Sequence, residues 1–100
     1  MANSLEFVFS AREGDDDVRF SITEERVQVS FVRASWLAFP LPVQQILGVR
    51  VLVGEEREAT LIVYESGGIP YAVLRMSLED GLRARTIMHE LLGVPDFSRK

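Results

Sequence analysis

Val18-Arg19-Phe20-Ser21-Ile22-Thr23-Glu24-Glu25-Arg26-Val27-Gln28-Val29-Ser30-Phe31 decides the fold class. Val18, Phe20 and Ile22 alternate with Arg19, Ser21 and Thr23, and Val27, Val29 and Phe31 alternate with Gln28, Ser30 and Val32. A period of two sends one set of side chains to a buried face and the other to water. Thr23-Glu24-Glu25-Arg26 is short enough for a tight hairpin, although it lacks the Asn-Gly pair that favours one. The stretch therefore reads as two antiparallel strands.

The pattern extends outward in both directions. Leu5, Phe7 and Phe9 alternate with Glu6, Val8 and Ser10, which adds a strand on the N-terminal side. On the other side, Trp36-Leu37-Ala38-Phe39 reads as a short buried strand. Pro40 and Pro42 then interrupt any ladder and place this stretch at an edge or a crossing. Pro42 to Ile46 suits one helical turn with Pro42 at its first position. Val49 to Val53, Ala59 to Glu65 and Tyr71 to Met76 read as further strands. Glu55-Glu56-Arg57-Glu58 is a charged turn between two of them, and Ser66 to Pro70 links the last two.

The C-terminal part changes period. Ser77 is a good N-cap for a helix, because its hydroxyl can accept from the free backbone N–H of Asp80. Glu79 and Asp80 place negative charge in the first turn, where the helix dipole favours it. Leu78, Leu82, Ala84, Met88, Leu91 and Leu92 fall on one broad face. Gly93 stands where a left-handed residue ends a helix, and Pro95 forbids continuation. Gly81 weakens the helix but lets it approach a strand closely. The fold class is mainly β, with α+β order. Six or seven antiparallel strands form a curved sheet, barrel or orthogonal sandwich, closed by one C-terminal helix over about residues 78–92. The ends, Met1 to Ser4 and Ser98 to Lys100, are expected to fray.

Composition narrows the class further. The chain has 100 residues, a net charge of −4, 47% apolar and 26% charged residues, and no cysteine. These values suit a globular domain and exclude a disordered chain, a disulfide scaffold and any thiolate site. Residues 1–100 are expected to form one domain with a radius of gyration of about 13 Å. The longest apolar run, Trp36 to Val43, contains two prolines and falls far short of the roughly 20 residues of a membrane span. Met1 to Phe9 lacks a basic region and carries Glu6, so it does not read as a secretory signal. A cytoplasmic location is the expectation, with no membrane partner. The acidic balance lacks the basic footprint of a nucleic-acid binder.

Phe39-Pro40-Leu41-Pro42-Val43-Gln44-Gln45-Ile46-Leu47-Gly48-Val49-Arg50-Val51 carries a further signal. A strand, a proline-bearing crossing, and an isoleucine and valine three residues apart open the second group of strands. With seven strands followed by one helix, this order resembles the pleckstrin-homology-like superfold, and its bacterial members in particular. The resemblance covers nearly the whole chain, in pattern only. It implies an interaction module. The helix lacks the tryptophan that many eukaryotic members carry there. The first loop, Arg12-Glu13-Gly14-Asp15-Asp16-Asp17, is acidic where lipid-binding members are basic, so the departure argues against an anionic headgroup.

Catalytic and metal motifs are weak. His89-Glu90 begins the zinc motif H-E-x-x-H, but Gly93 stands where the second histidine should be. Asp15-Asp16-Asp17 are consecutive, whereas calcium loops space their carboxylates around a turn. Glu24-Glu25 and Glu55-Glu56 fall in exposed turns, and a catalytic carboxyl wants a cleft. No G-x-S-x-G elbow occurs, and Gly67-Gly68 lacks the lysine of a phosphate loop. No cofactor and no metal are expected, and catalysis is not. The most suggestive feature is aromatic. Trp36, Phe39, Leu41 and Tyr71 gather near the proline crossing and form the candidate partner-binding set. From Val32 onward apolar residues fall on both faces of the strands, which fits either burial on both sides or an interface. The leading expectation is a protein-interaction module that docks a protein partner or itself, as a homodimer. The alternatives are a fold that binds a small apolar ligand or fatty acid between sheet and helix, and an enzyme using carboxylates.

Overall fold

Each alternating run becomes a strand in the computed structural model, which describes residues 5–98. Seven strands run in chain order: β1 Glu6–Glu13, β2 Asp16–Thr23, β3 Arg26–Phe31, β4 Ala38–Pro42, β5 Ile46–Val53, β6 Glu58–Glu65 and β7 Pro70–Ser77. The helix α1, Leu78–Thr86, follows at once and widens into a π-type turn over Ile87–Leu91. Met1 to Ser4, Arg99 and Lys100, where frayed ends were expected, lie outside the described residues.

All strand pairs are antiparallel, in the order β4-β3-β2-β1-β7-β6-β5. The β2–β3 hairpin has the register expected of its alternation, with Phe20 opposite Val29 and Ile22 opposite Val27. The two halves of the sheet meet at a single register pair, Arg12 with Arg75. Like charges directly opposite one another are unfavourable, and acceptors of the β1–β2 turn and the Asp17 carboxylate offset the cost. Arg75 donates to the carbonyl of Gly14 at 2.9 Å, while Arg12 donates to Asp15 at 3.2 Å and lies 3.7 Å from the Asp17 carboxylate. The sheet is open: β4 and β5 are its two ends and do not pair, so the closed-barrel reading gives way to a curved sheet. It curls enough that Tyr71 on β7 reaches the backbone of β3 and β4.

One core fills the concave side. Phe20, Ile22, Val27, Leu61, Val63, Leu74 and Met88 are fully buried there. Each such side chain contributes about 1.5–3 kcal/mol relative to exposure. The helix lies over β5, β6 and β7, with Gly81 and Ala84 against them. A Cβ on Gly81 would stand 3.0 Å from that of Ala59, so glycine here sets the helix–strand distance. Ser77 caps the helix as expected, its hydroxyl accepting from Asp80 N at 3.1 Å. Gly93 has φ +74° and ends it. The radius of gyration is 12.7 Å.

The middle of the chain departs from its sequence reading. Trp36 is not in a strand. Hydrogen bonds from Ala34 N to Phe31 O and from Leu37 N to Ala34 O fold residues 31–37 into a tight loop, and β4 begins only at Ala38. β5 begins at Ile46 rather than Val49, with an irregularity between Ile46 and Gly48. Pro42 immediately precedes a 3-10 turn, Val43–Gln45, instead of opening it.

Candidate functional site

The loop between β3 and β4 is closed by backbone hydrogen bonds and exposes apolar side chains. Besides its internal bonds it is tied to both sides: Val32 N donates to Asp17 O at 3.0 Å, and Phe31 N to Leu37 O at 3.1 Å. Trp36 projects from its tip, 81% exposed. Val32, Leu37 and Phe39 (47% exposed), in the same loop and at the start of β4, are exposed as well. Phe39 meets Phe31 edge-to-face, with ring centroids 6.0 Å apart at 86°. Such a pair adds about 0.5–1.5 kcal/mol beyond burial and fixes both rings in place. Beside them opens a groove of about 480 Å³ lined by Phe31, Ala34, Leu37, Asp16 and Arg33. Its lining combines the apolar Phe31, Ala34 and Leu37 with two side chains of opposite charge.

Tyr71 fixes this surface to the rest of the fold. Its hydroxyl accepts from Val29 N at 3.1 Å and donates to the carbonyl of Phe39. Val29 and Phe39 are register partners, so one side chain from β7 pins the β3–β4 seam. Burial, first, pushes the Tyr71 phenol up to about 12; the Val29 amide opposes this and the nearby Glu13 adds to it. The hydroxyl thus stays protonated, as its donation to Phe39 requires.

The sequence-derived set therefore divides. Trp36 and Phe39 share one exposed surface. Tyr71 supports it from behind, with its polar atom already engaged. Leu41 is a correction: it is 6% exposed, points into the core opposite Val27, and has no surface to offer a partner. Trp36-Leu37, read as buried, is in fact the most outward part of the loop. Asp16 was read in sequence only as part of the acidic first loop, and no local pattern places Arg33 beside it at the groove.

The two ends of the sheet are blunted in different ways. In β4 the bonds Phe31 N to Leu37 O and Val43 N to Glu25 O show that odd-numbered residues turn their backbone toward β3. Pro40 and Pro42 therefore occupy the outward positions. Their missing N–H groups cost nothing there and remove the donors that another strand would need.

At the other end, residues 95–98 lie parallel to β5. Val49 N donates to Pro95 O at 2.9 Å, Phe97 N to Val49 O at 2.7 Å, and Val51 N to the Ser98 hydroxyl at 2.6 Å. Phe97 packs over Gly48, where any Cβ would collide with its ring, and its centroid lies 5.9 Å from that of Tyr64. The Asp96 carboxylate, 3% exposed, accepts from Ser98 N at 2.9 Å and meets Arg85 Nε at 3.5 Å. Ser98 is thus fastened where a frayed end was expected. His89 Nδ1 lies 2.9 Å from Val94 O and secures the start of this strap.

Among the described residues, no three His, Asp or Glu side chains are grouped to hold a metal ion, and no helix is long and apolar enough to cross a membrane. The sequence matches no protein-family model and no curated protein.

Proposed function

We propose that this chain is a non-catalytic, pleckstrin-homology-like interaction domain that works in the cytoplasm of a bacterium. Its docking face is the surface around Trp36 and Phe39. The observation that carries this reading is the exposed tryptophan on a loop closed by backbone hydrogen bonds at Phe31, Val32, Ala34 and Leu37. A large aromatic left in water gains nearly its whole burial on docking, and tryptophan is the residue type enriched at interface hot spots. The order of seven strands and a C-terminal helix supports the superfold. The acidic loop Asp15-Asp16-Asp17, exposed beside Arg12, favours a protein over an anionic membrane surface. Because prolines blunt β4, the partner meets side chains here rather than adding a strand.

A tagged pull-down from lysate, with the chain and its Trp36→Asp variant run side by side, tests this. One protein retained by the first and lost by the second, with the variant still folded, is the expected result. Identical capture by both would remove the docking face.

A further inference from the structure

The strap, residues 94–98, is the one part of the fold that is gripped firmly yet joined through a single pivot. Its grip is specific at every position. Val94 is buried in the core, Pro95 and Phe97 use both backbone groups of Val49, Asp96 meets Arg85, Phe97 covers Gly48, and Ser98 reaches Val51. The pivot is Gly93, at φ +74°, directly after the widened turn Ile87–Leu91. Glycine moves between left-handed and extended backbone without a Cβ penalty. With every contact of residues 94–98 kept, Gly93 alone crosses between copies, a span of about 7 Å from Leu92 to Val94, so the two helix ends lie side by side in the dimer. Beyond the strap, β5 carries the exposed apolar side chains Leu47, Leu52 and Val53. The strap leaves them in water, and a second copy brought against this edge would cover them.

We infer that the strap is exchangeable between copies: in a dimer, the 94–98 segment of each chain lies on β5 of the other. The groove is shaped to the sequence Val-Pro-Asp-Phe-Ser, and a second copy supplies that sequence unchanged. Every strap contact is then retained, and the exchange costs only the new hinge conformation and the association itself. The dimer is independent of the Trp36 surface, which lies on the β3–β4 loop at the other end of the sheet.

The test uses two full-length variants, Arg85→Asp and Asp96→Arg. Each alone sets two like charges against one another. Mixed, denatured and refolded together, exchanged straps pair Asp96 of one chain with Arg85 of the other, and Arg with Asp in the second site. The expected result is a heterodimer by native mass spectrometry, melting at least about 4 °C above either variant alone. A mixture that holds no heterodimer and melts as its two components would overturn the inference. Gly93→Ala provides an independent reading that keeps all strap contacts. Alanine resists positive φ at both hinges, so the dimer association constant should rise about tenfold or more. A lower melting temperature with an unchanged dimer fraction would contradict exchange. Neither outcome depends on whether Trp36 docks a partner.

Discussion

The β4 end and the β5 end of the sheet solve the same problem by different chemistry. A free strand edge is a template for another chain. At β4, Pro40 and Pro42 delete two of the three outward N–H groups and leave only that of Ala38, so this protection is built into the covalent chain. At β5 the donors are present and are satisfied by residues 95–98, so protection lasts only while the strap is seated. The proline end is free to present side chains without risk of strand addition, and Trp36 and Phe39 are displayed beside it. The strapped end keeps a strand acceptor in reserve.

This contrast can be broken or sharpened by substitution. The largest effect is expected at Gly48→Val, whose side chain would occupy the space of the Phe97 ring. Overpacking of this kind costs about 2 kcal/mol, read by urea unfolding. Amide exchange should quicken at Val49, Phe97 and Val51, while Phe31 at the other end stays protected. Equal acceleration at both ends would mean that the ends are not independent.

Tyr71→Phe removes a hydroxyl that joins Val29 to Phe39 and should cost about 1 kcal/mol. Its pH dependence has a definite sign. The unfolded phenol ionises near 10 and the folded one near 12. The contribution is therefore complete below pH 10 and is lost as pH rises from there toward 12. Chemical unfolding of the two proteins across this range should show the difference between them shrinking. A constant difference would show that the hydroxyl is not held protonated by the fold.

Replacing Pro40 and Pro42 together by Val should change stability by less than about 1 kcal/mol. It should instead produce concentration-dependent association in sedimentation velocity, because β4 regains its outward donors. A variant that stays as the parent does would show that prolines are not what guards this edge. The smallest stability effect is expected at Trp36→Asp, within about 0.5 kcal/mol in the same urea assay. A substantially larger loss would place Trp36 in the packing of the loop rather than on display.

Much of this organisation is legible in the sequence. The alternation at Val18–Ile22 and Val27–Phe31 specifies the β2–β3 register, since a slip by one residue would turn Phe20 and Val29 to water. Ser77 and Gly93 mark the helix by local chemistry. Trp36 was misread because Trp-Leu-Ala-Phe is apolar without alternation, and the turn that exposes it depends on backbone bonds among Phe31, Ala34 and Leu37 rather than on Gly or Asn. The strap was not read in the sequence at all, apart from Ser98, which was expected to fray, and for a different reason. Its partners Val49, Val51 and Gly48 lie far away in the chain, and no local pattern records a contact across that distance. A phenylalanine near the C-terminus and a glycine inside a strand were the only traces of it.

The docking claim is tested most directly at Trp36 itself, the one tryptophan of the chain. Grown with 5-fluorotryptophan, the protein gives a single ¹⁹F resonance. In dilute buffer this line should be sharp, as for indole in water. In lysate of the source cells it should shift or broaden as the ring is buried. Excess unlabelled chain should restore it, and excess unlabelled Trp36→Asp should not. If the line does not change in lysate, or if both competitors restore it equally, the surface around Trp36 and Phe39 is not where this domain meets its partner.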